Sequence, residues 1–286
     1  MGCDRPITLL KPMTQTGIAL VLWLTAGGLV AQDARREPAA NVKPATSAAE
    51  PFSHTLRVLS YNIHHAEGID GRLDIERIAK VITSAEPDIV ALQEVDSKVK
   101  RSQDADQPQE LARLTGMKVV FGANIELQGG KYGNALLTRE TPLHSENHPL
   151  PNIDQGEQRG ILEALIKHEG QTIRILATHF DHRRDQRERL ASIEKANEMA
   201  SDKAQMPTLL VGDLNAEFSS EVLDRARSLW NVANTERMPT IPVTQPQRQI
   251  DFILCYPPQR WQVKEVKVLE EATASDHRPI MAILQF

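Results

Sequence analysis

Cysteine is scarce in this sequence, with two residues among 286. Cys3 lies ahead of an apolar leader segment, so removal of that leader would leave Cys255 alone. An intramolecular disulfide is then excluded, and an exported domain would have to be stabilised by its hydrophobic core. The sequence also lacks neighbouring cysteine pairs, which argues against a structural zinc site.

An excess of basic residues is also missing. The chain has a formal net charge of −5, and residues 1–54 hold five Lys or Arg and four Asp or Glu, so residues 55–286 have a net charge of −6. Proteins that grip duplex DNA rely on a basic face, so this balance argues weakly against that class. The net charge does not exclude a local basic patch.

No strongly apolar run reaches the roughly 20 residues that a membrane-spanning helix needs. The longest, Ile18 to Ala31, follows Arg5 and Lys11 and has the length of a signal-peptide core. We therefore expect residues 1–31 to be a signal peptide and the protein to be exported, either to a periplasm or outside the cell. The alternative is an uncleaved membrane anchor, because the uncharged stretch extends back to Pro12.

The segment after the leader differs in composition from the rest. Residues 32–54 are rich in Ala, Pro and charge and show no apolar periodicity, which is typical of a disordered tether. Residues 55–286 are expected to form one catalytic domain, and the chain has enough apolar residues, 41% in all, to bury one substantial core.

Strand and helix patterns alternate through this domain. Alternating residues at Leu56 to Asn62 predict a strand, Asp74 to Ala85 has the apolar spacing of an amphipathic helix, and Asp88 to Gln93 is a short apolar strand that ends at Glu94. Further along, about nine strands and three or four helices are expected in all, several of the strands as hairpins. This order favours a mixed sheet or two packed sheets with helices outside.

Polar side chains fall at or beside the ends of these strands. The set contains two amides, four carboxylates and two imidazoles: Asn62, Glu94, His179, Asp213, Asn215, Asp251, Asp276 and His277. A fold that gathers those strand ends on one rim would form an oxygen-rich pocket, which suits Mg²⁺ or Mn²⁺ and indicates metal-assisted hydrolysis. Each residue alone also has an ordinary explanation, such as a turn residue or an internal ion pair.

Six short motifs in these positions resemble the endonuclease/exonuclease/phosphatase superfamily. They are Tyr61-Asn62-Ile63, Gln93-Glu94, the T-H-x-D-H run at 178–182, Gly212-Asp213-Leu214-Asn215, Ile250-Asp251-Phe252-Ile253 and Ser275-Asp276-His277-Arg278-Pro279. The resemblance covers Leu56 to Phe286. It implies an α/β fold, a two-sheet sandwich of four layers in which mixed, largely antiparallel sheets are flanked by helices, with the active site at one rim.

The resemblance also implies roles for individual residues. Glu94 would be the main ligand of Mg²⁺ or Mn²⁺, assisted by Asn62 and Asp276. His277, oriented by Asp251, would activate the attacking water or hold the phosphate.

Three further residues complete the implied catalytic set. Asp213 and Asn215 would position the water and stabilise the charge that develops at phosphorus. His179 would donate a proton or a hydrogen bond to a phosphate oxygen.

Other polar residues are less well determined. Tyr132, Asn134 and Arg159 flank strands and are expected to line the substrate side, although Arg159 could instead form a surface salt bridge. His64, His65 and Glu67 are expected to be solvated residues of the first loop.

Three functions remain open from the sequence. The leading hypothesis is a metal-dependent phosphoester hydrolase that acts on a phosphodiester in a small or lipid-linked substrate. The second is an exported nuclease for DNA or RNA, and the third a non-catalytic module that binds a phosphorylated ligand. No obligate protein partner is expected, and membrane association only through an uncleaved anchor.

Overall fold

The computed structural model describes residues 52–286. The predicted leader and most of the predicted tether lie outside these residues. His54, which the tether prediction includes, exchanges two backbone hydrogen bonds with Phe286, at 3.4 and 3.2 Å. Within the described part of the chain, no helix is long and apolar enough to cross a membrane.

Twelve strands and four helices make up residues 52–286. The strands are β1 (Thr55–Asn62), β2 (Ile89–Ser97), β3 (Lys118–Leu127), β4 (Gly130–Thr138), β5 (His144–Pro149), β6 (Gly160–His168), β7 (Gln171–His179), β8 (Thr208–Asp213), β9 (Asn231–Val232), β10 (Asp251–Tyr256), β11 (Gln262–Val268) and β12 (Ile280–Gln285). The helices are α1 (Ile75–Ala85), α2 (Gln107–Thr115), α3 (Arg187–Asp202) and α4 (Glu221–Arg227). Short 3₁₀ turns lie at His64–Ala66, Lys100–Ser102 and Pro258–Arg260.

The strands form two six-stranded sheets that pack face to face. The first has the order β11-β12-β1-β2-β4-β3 and the second the order β5-β6-β7-β8-β10-β9. Aliphatic side chains from both sheets fill the space between them, among them Val58 and Leu284 from the first and Ile175 and Val211 from the second. The two-sheet α/β sandwich is therefore confirmed.

Helices cover the outer face of each sheet. α1 begins where the Asp74 carboxylate accepts a hydrogen bond from the Arg77 backbone N–H at 2.8 Å, which confirms this residue as the N-terminal cap. The apolar face of α1, including Ile78 and Ile82, is fully buried against the first sheet. α3 and α4 cover the second sheet in the same way, so the sandwich has four layers.

Strand direction and register bring the polar strand ends to one rim. β7 and β8 are parallel and β10 is antiparallel to β8, so His179, Asp213 and Asp251 lie side by side in one row. In the first sheet Asn62 pairs with Gln93 at the end of β1, and β12 begins opposite the same end of β1. The two rows face each other across the inter-sheet gap.

A few elements differ from the sequence prediction. The strands β5 and β9 were not anticipated, and twelve strands are present in residues 52–286 where about nine were expected. The charged residues of 183–202 predict a surface helix, but α3 begins only at Arg187. The Asp181 side chain accepts hydrogen bonds from the Arg183 backbone (2.9 Å) and guanidinium (2.8 Å), and so stabilises a turn before the helix.

Candidate active site

Asn62 joins the two halves of the site. Its side-chain Nδ2 donates to Glu94 Oε1 at 3.0 Å in the first sheet and to Asp213 Oδ2 at 3.2 Å in the second. Its Oδ1 accepts a hydrogen bond from the His64 backbone N–H at 3.1 Å, and that donor fixes the orientation of the amide. In this arrangement Asn62 acts as a donor that holds two carboxylates together, and its part in metal binding stays a prediction.

Glu94 reaches the rim because β2 is interrupted there. The register between β2 and β4 shifts between Leu92 and Val95, and Glu94 adopts a left-handed φ of 59°. A β-bulge of this kind redirects the side chain, and a left-handed non-glycine residue is typical of functional sites. Glu94 is accordingly half-buried in a strand whose other inner residues are buried.

The second half of the site is a buried dyad. His277 Nδ1 donates to Asp251 Oδ2 at 2.9 Å, and the same oxygen accepts a hydrogen bond from Thr240 Oγ1 at 2.5 Å. His277 Nε2 lies 3.8 Å from Asp213 Oδ2. Asp251 therefore orients the imidazole with its Nε2 toward Asp213.

Burial and charge set the protonation of this dyad. Burial lowers the pKa of His277, but the negative charges of Asp251 and Asp213 outweigh it and raise that pKa to about 10. Burial and the charge of Asp251 raise the pKa of Asp213 to about 7. Near neutral pH His277 is thus an imidazolium that can hold a phosphate oxygen, while Asp213 is the group able to take up a proton.

His179 differs from His277 in its environment. Arg159 NH1 donates to His179 Nδ1 at 3.0 Å, and because a guanidinium cannot accept, the imidazole proton must lie on Nε2. His179 Nε2 lies 3.4 Å from Asp213 Oδ2. Burial and the charge of Arg159 hold the pKa of His179 well below its ordinary value, so this histidine is neutral.

Asn215 fixes the position of Asp213. Its backbone N–H donates to Asp213 Oδ1 at 2.8 Å, and its side-chain Nδ2 donates to the Phe180 carbonyl at 3.0 Å. Asn215 has a left-handed φ of 46°, and its Nδ2 lies 3.0 Å from His179 Nε2; while Nε2 carries the proton this contact is not a hydrogen bond, because both groups are donors. The predicted grouping of Asp213, Asn215 and His179 is present in the structure.

Asp276 lies in the turn that precedes β12. Ser275 Oγ donates to the Asn62 carbonyl at 2.7 Å and lies 3.3 Å from Asp276 Oδ1, which ties this turn to the end of β1. Asp276 is half-buried. It belongs to neither of the two groups of metal-ligand side chains found within residues 52–286, so its part in metal binding stays a prediction.

The donor set fits a divalent cation. Carboxylates outnumber the single imidazolium at this rim, and Asp251 Oδ1 is buried with no hydrogen-bond partner in the structure. The raised pKa of Asp213 has the same origin, since burial and a neighbouring carboxylate oppose its negative charge. Hard oxygen donors with unbalanced negative charge are what Mg²⁺ and Mn²⁺ prefer.

Comparison with known proteins agrees with this geometry. Residues 59–277 match the model of the family described as endonuclease/exonuclease/phosphatase. The chain belongs to this family. Its members are phosphoester hydrolases that depend on a divalent metal ion, and this chain is therefore a phosphoric ester hydrolase. Comparison with curated protein sequences gives no match.

Solved structures of endonuclease/exonuclease/phosphatase proteins share the fold. One from Beutenbergia cavernae is 24% identical, with 82% of this chain and 72% of that chain covered and a TM-score of 0.68. A mannosyl-6-phosphatase from Bacteroides thetaiotaomicron is 19% identical over 81% of this chain and all of that one, again with a TM-score of 0.68. A humanized D. rerio TDP2 is 17% identical over 82% and 100%, with a TM-score of 0.66.

Two residues predicted to line the substrate side of this endonuclease/exonuclease/phosphatase domain are not exposed there. Asn134 is 1% exposed, and its Nδ2 donates to the Gly160 carbonyl at 3.1 Å, so it links β4 to β6 across the core. Arg159 is 6% exposed and lies behind His179. Its guanidinium donates to His182 Nδ1 at 3.1 Å and lies 3.2 Å from Glu157 Oε1, so Arg159 forms a salt bridge with a partly exposed carboxylate, and its contact with substrate stays a prediction.

Tyr132 lies close enough to Glu94 for the charge of that carboxylate to act on it. It is 7% exposed, and the Arg101 guanidinium sits 5.2 Å from its ring centroid. Burial and the charge of Glu94 raise its pKa, so the hydroxyl stays protonated and available as a donor. Contact of Tyr132 with substrate remains a prediction.

The first loop of this family member was misjudged from the sequence. His65, expected to be solvated, is 7% exposed, and His64 is half-buried. Their spacing directly after the Asn62 motif was the available signal, but adjacent histidines in a polar loop do not reveal burial.

Proposed function

We propose that the protein is an exported, Mg²⁺-dependent hydrolase that cleaves a phosphodiester in a small or lipid-linked substrate by attack of water. The observation that carries this proposal is the connected cluster of Glu94, Asn62 and Asp213, with a charged His277 on one side and a neutral His179 on the other. This cluster holds groups for the metal, the water and the phosphate within one rim.

Each group in the cluster has a defined task. Glu94, with Asn62 and Asp276 as further predicted ligands, would hold the cation, which would polarise a phosphoryl oxygen and make bound water more acidic. Asp213 accepts the proton of the attacking water, since its pKa of about 7 matches that of a general base near neutral pH. Because Asn62 now donates to Glu94, its amide must turn if its oxygen is to reach the cation.

The histidines act on the phosphate. The His277 imidazolium binds a non-bridging oxygen, where negative charge increases in the transition state. The Nε2–H of His179, which lies 3.4 Å from Asp213 Oδ2, would donate to a second oxygen. Arg159 maintains this tautomer from behind, so it acts as a positioning residue.

A basic cavity beside Asn215 supports a substrate with a second anionic group. The cavity has a volume of about 520 Å³ and is lined by Arg184, Arg189 and Arg248, among others. Arg189 is 8% exposed, and its Nε has no hydrogen-bond partner within the described residues. An anionic headgroup next to the scissile phosphate would fit these cations.

The same cavity keeps the nuclease alternative open, because a neighbouring backbone phosphate carries the same charge. The two differ in their response to salt: nucleic acid cleavage should weaken steeply as salt increases, since several counterions are released on binding. The acidic net charge of residues 55–286 supports the smaller substrate.

A substrate panel tests the proposal. We would assay bis-(p-nitrophenyl) phosphate, p-nitrophenyl phosphate, sphingomyelin, phosphoinositides, plasmid DNA and RNA, with Mg²⁺ or with a chelator. The monoester is included because one structural neighbour is named as a phosphatase. We expect a diester to be preferred, and Glu94→Ala to lose at least about 100-fold in turnover.

A matched control is Glu146→Ala, which removes an exposed carboxylate on β5. It should retain wild-type turnover. Folded wild-type protein that cleaves none of these esters with Mg²⁺ or Mn²⁺ would overturn the proposal.

A further inference from the structure

The loop that follows β1 holds two histidines in an unusual backbone conformation. His64, His65 and Ala66 all adopt left-handed φ values, 44°, 43° and 63°. Such residues are costly outside glycine and persist when surrounding contacts hold them. Asn62 and Gln107 hold the backbone of this loop, and Glu67 contacts both imidazole rings.

Glu67 determines the tautomer of both imidazoles. Its backbone carbonyl lies 3.0 Å from His64 Nδ1, and its carboxylate Oε2 lies 3.3 Å from His65 Nε2. Both of these oxygens are acceptors, so the proton of each neutral imidazole lies on the nitrogen that faces Glu67. His64 Nε2 and His65 Nδ1 are left with free lone pairs.

One of these lone pairs is buried without any partner. His65 is 7% exposed, and its Nδ1 has no hydrogen-bond partner in the structure. A buried imidazole nitrogen is rarely left unpaired unless something else binds to it. Metal-ligating histidines show this same arrangement, in which one ring N–H is fixed by a carbonyl or carboxylate and the other nitrogen faces the ion.

A third ligand is already in place. His64, His65 and Glu94 each offer a ligand atom, and the three atoms lie within 4.8 Å of one another. The nearby Arg101 is engaged elsewhere, because its guanidinium forms two hydrogen bonds of 2.9 Å to Asp96. Two imidazoles and one carboxylate suit a borderline transition-metal ion and not Mg²⁺, which prefers oxygen ligands.

We propose that His64, His65 and Glu94 form a second cation site that binds a divalent transition-metal ion such as Zn²⁺ or Co²⁺. Glu94 is shared with the site of hydrolysis, and Glu67 holds both imidazoles from behind. The site would let the protein bind a transition metal in the presence of Mg²⁺. This inference does not depend on the substrate of the enzyme.

Cobalt is the direct probe. Full-length protein freed of metal with a chelator would be titrated with Co²⁺ by calorimetry and by visible absorption, with excess Mg²⁺ present to occupy oxygen-only sites. We expect about one Co²⁺ per chain with the absorption of imidazole-bound cobalt. His64→Ala and Glu67→Gln should each weaken binding by at least about tenfold.

The variants and control separate a site from surface binding. His65→Ala should abolish the tight phase, and the half-buried His64 provides a second test if removal of the buried His65 prevents folding. His144→Ala is the control, because that exposed histidine also has a glutamate beside it, Glu146 at 3.8 Å. The control should bind Co²⁺ as the wild type does.

Two outcomes decide the matter. Identical Co²⁺ binding in folded His64→Ala and wild-type protein, or complete displacement of Co²⁺ by Mg²⁺, would overturn the second site. Hydrolysis with Mg²⁺ is measured on the same preparations. Histidine-dependent Co²⁺ binding without any hydrolysis refutes the proposed function alone, and the reverse result refutes the second site alone.

Discussion

Replacing Asp251 by asparagine removes a charge that acts on both His277 and Asp213, and the effect on His277 is read from the titration of its own ring. Asp251 Oδ2 accepts hydrogen bonds from both His277 and Thr240, whereas Oδ1 has no partner. The asparagine oxygen can take the place of Oδ2 and its NH₂ group that of Oδ1. The geometry is then preserved, while the negative charge is lost and a buried donor is left unpaired.

The expected consequence for His277 follows from the causes of its raised pKa. Burial acts to lower that pKa, and Asp251 supplies the largest opposing contribution. In Asp251→Asn the pKa should fall from about 10 toward its ordinary value of about 6.5. The group is charged below its pKa, so at pH 8 the wild type keeps the imidazolium and the variant loses most of it.

The effect on turnover can be bounded. A hydrogen bond to a charged group contributes about 1.5–3 kcal/mol, and each 1.36 kcal/mol corresponds to a factor of ten, so kcat at pH 8 should fall by about 10- to 150-fold. The ratio of wild-type to variant kcat should narrow toward pH 6, where the variant regains its proton. We would measure kcat between pH 6 and 8 and follow the His277 ring nitrogens by NMR.

The control for this variant is Asp185→Asn, an exposed carboxylate in the loop before α3. It should match the wild type. A folded Asp251→Asn enzyme with kcat within twofold of wild type at pH 8, or with His277 still titrating near 10, would refute the assigned role of this dyad.

Three further predictions concern the residues around the site. Arg159→Met should lower kcat by about 10- to 100-fold and raise the pKa of His179, because the donor to Nδ1 and a nearby positive charge are both lost. The pKa of His179 would be followed by NMR, and an unchanged titration would contradict this prediction. Glu163→Gln should lower the free energy of unfolding by about 3–5 kcal/mol at pH 7, since it breaks a buried pair with Arg174 at 2.7 Å. Burial acts to raise the pKa of Glu163, but Arg174 holds it low. The difference in free energy of unfolding between wild type and variant, measured by denaturant melts, should therefore disappear as the pH falls below about 4.3. A difference that persists in acid would contradict the role of the ion pair. Gly212→Ala should destabilise the protein by about 1–3 kcal/mol or more and reduce activity, because a Cβ would lie 1.9 Å from a carbonyl of β7 next to the site. A variant with the melting temperature of the wild type would contradict this, since β7 and β8 would then have moved apart without cost.

Much of the fold is readable from apolar patterning. Strands such as β8 and β10 are apolar runs that end or begin at an acidic residue, and the amphipathic spacing and acid cap of α1 predicted its bounds to within one residue. β5 has the sequence His144–Pro149 without apolar alternation, because it lies at the edge of its sheet and is largely exposed. Such a strand is held by backbone pairing, which leaves no signal in the side chains.

The sequence predicted which residues form the candidate site better than it predicted the contacts between them. Strand ends sufficed to group Asp213, Asp251 and His277. The bulge that turns Glu94 to the rim depends on pairing with β4, which composition does not encode. The link from Arg159 to His179 joins neighbouring strands across a hairpin, and residue type alone could not distinguish a substrate contact from a support behind the histidine.

The central claim is that water attacks phosphorus at this rim with the help of a divalent cation. Hydrolysis of bis-(p-nitrophenyl) phosphate in ¹⁸O-labelled water tests it directly, with mass analysis of both products. We predict one ¹⁸O atom in the phosphorus-containing product, in the presence of Mg²⁺ and wild-type Glu94. Label in the nitrophenol, or equal incorporation after chelation or in Glu94→Ala, would contradict the account.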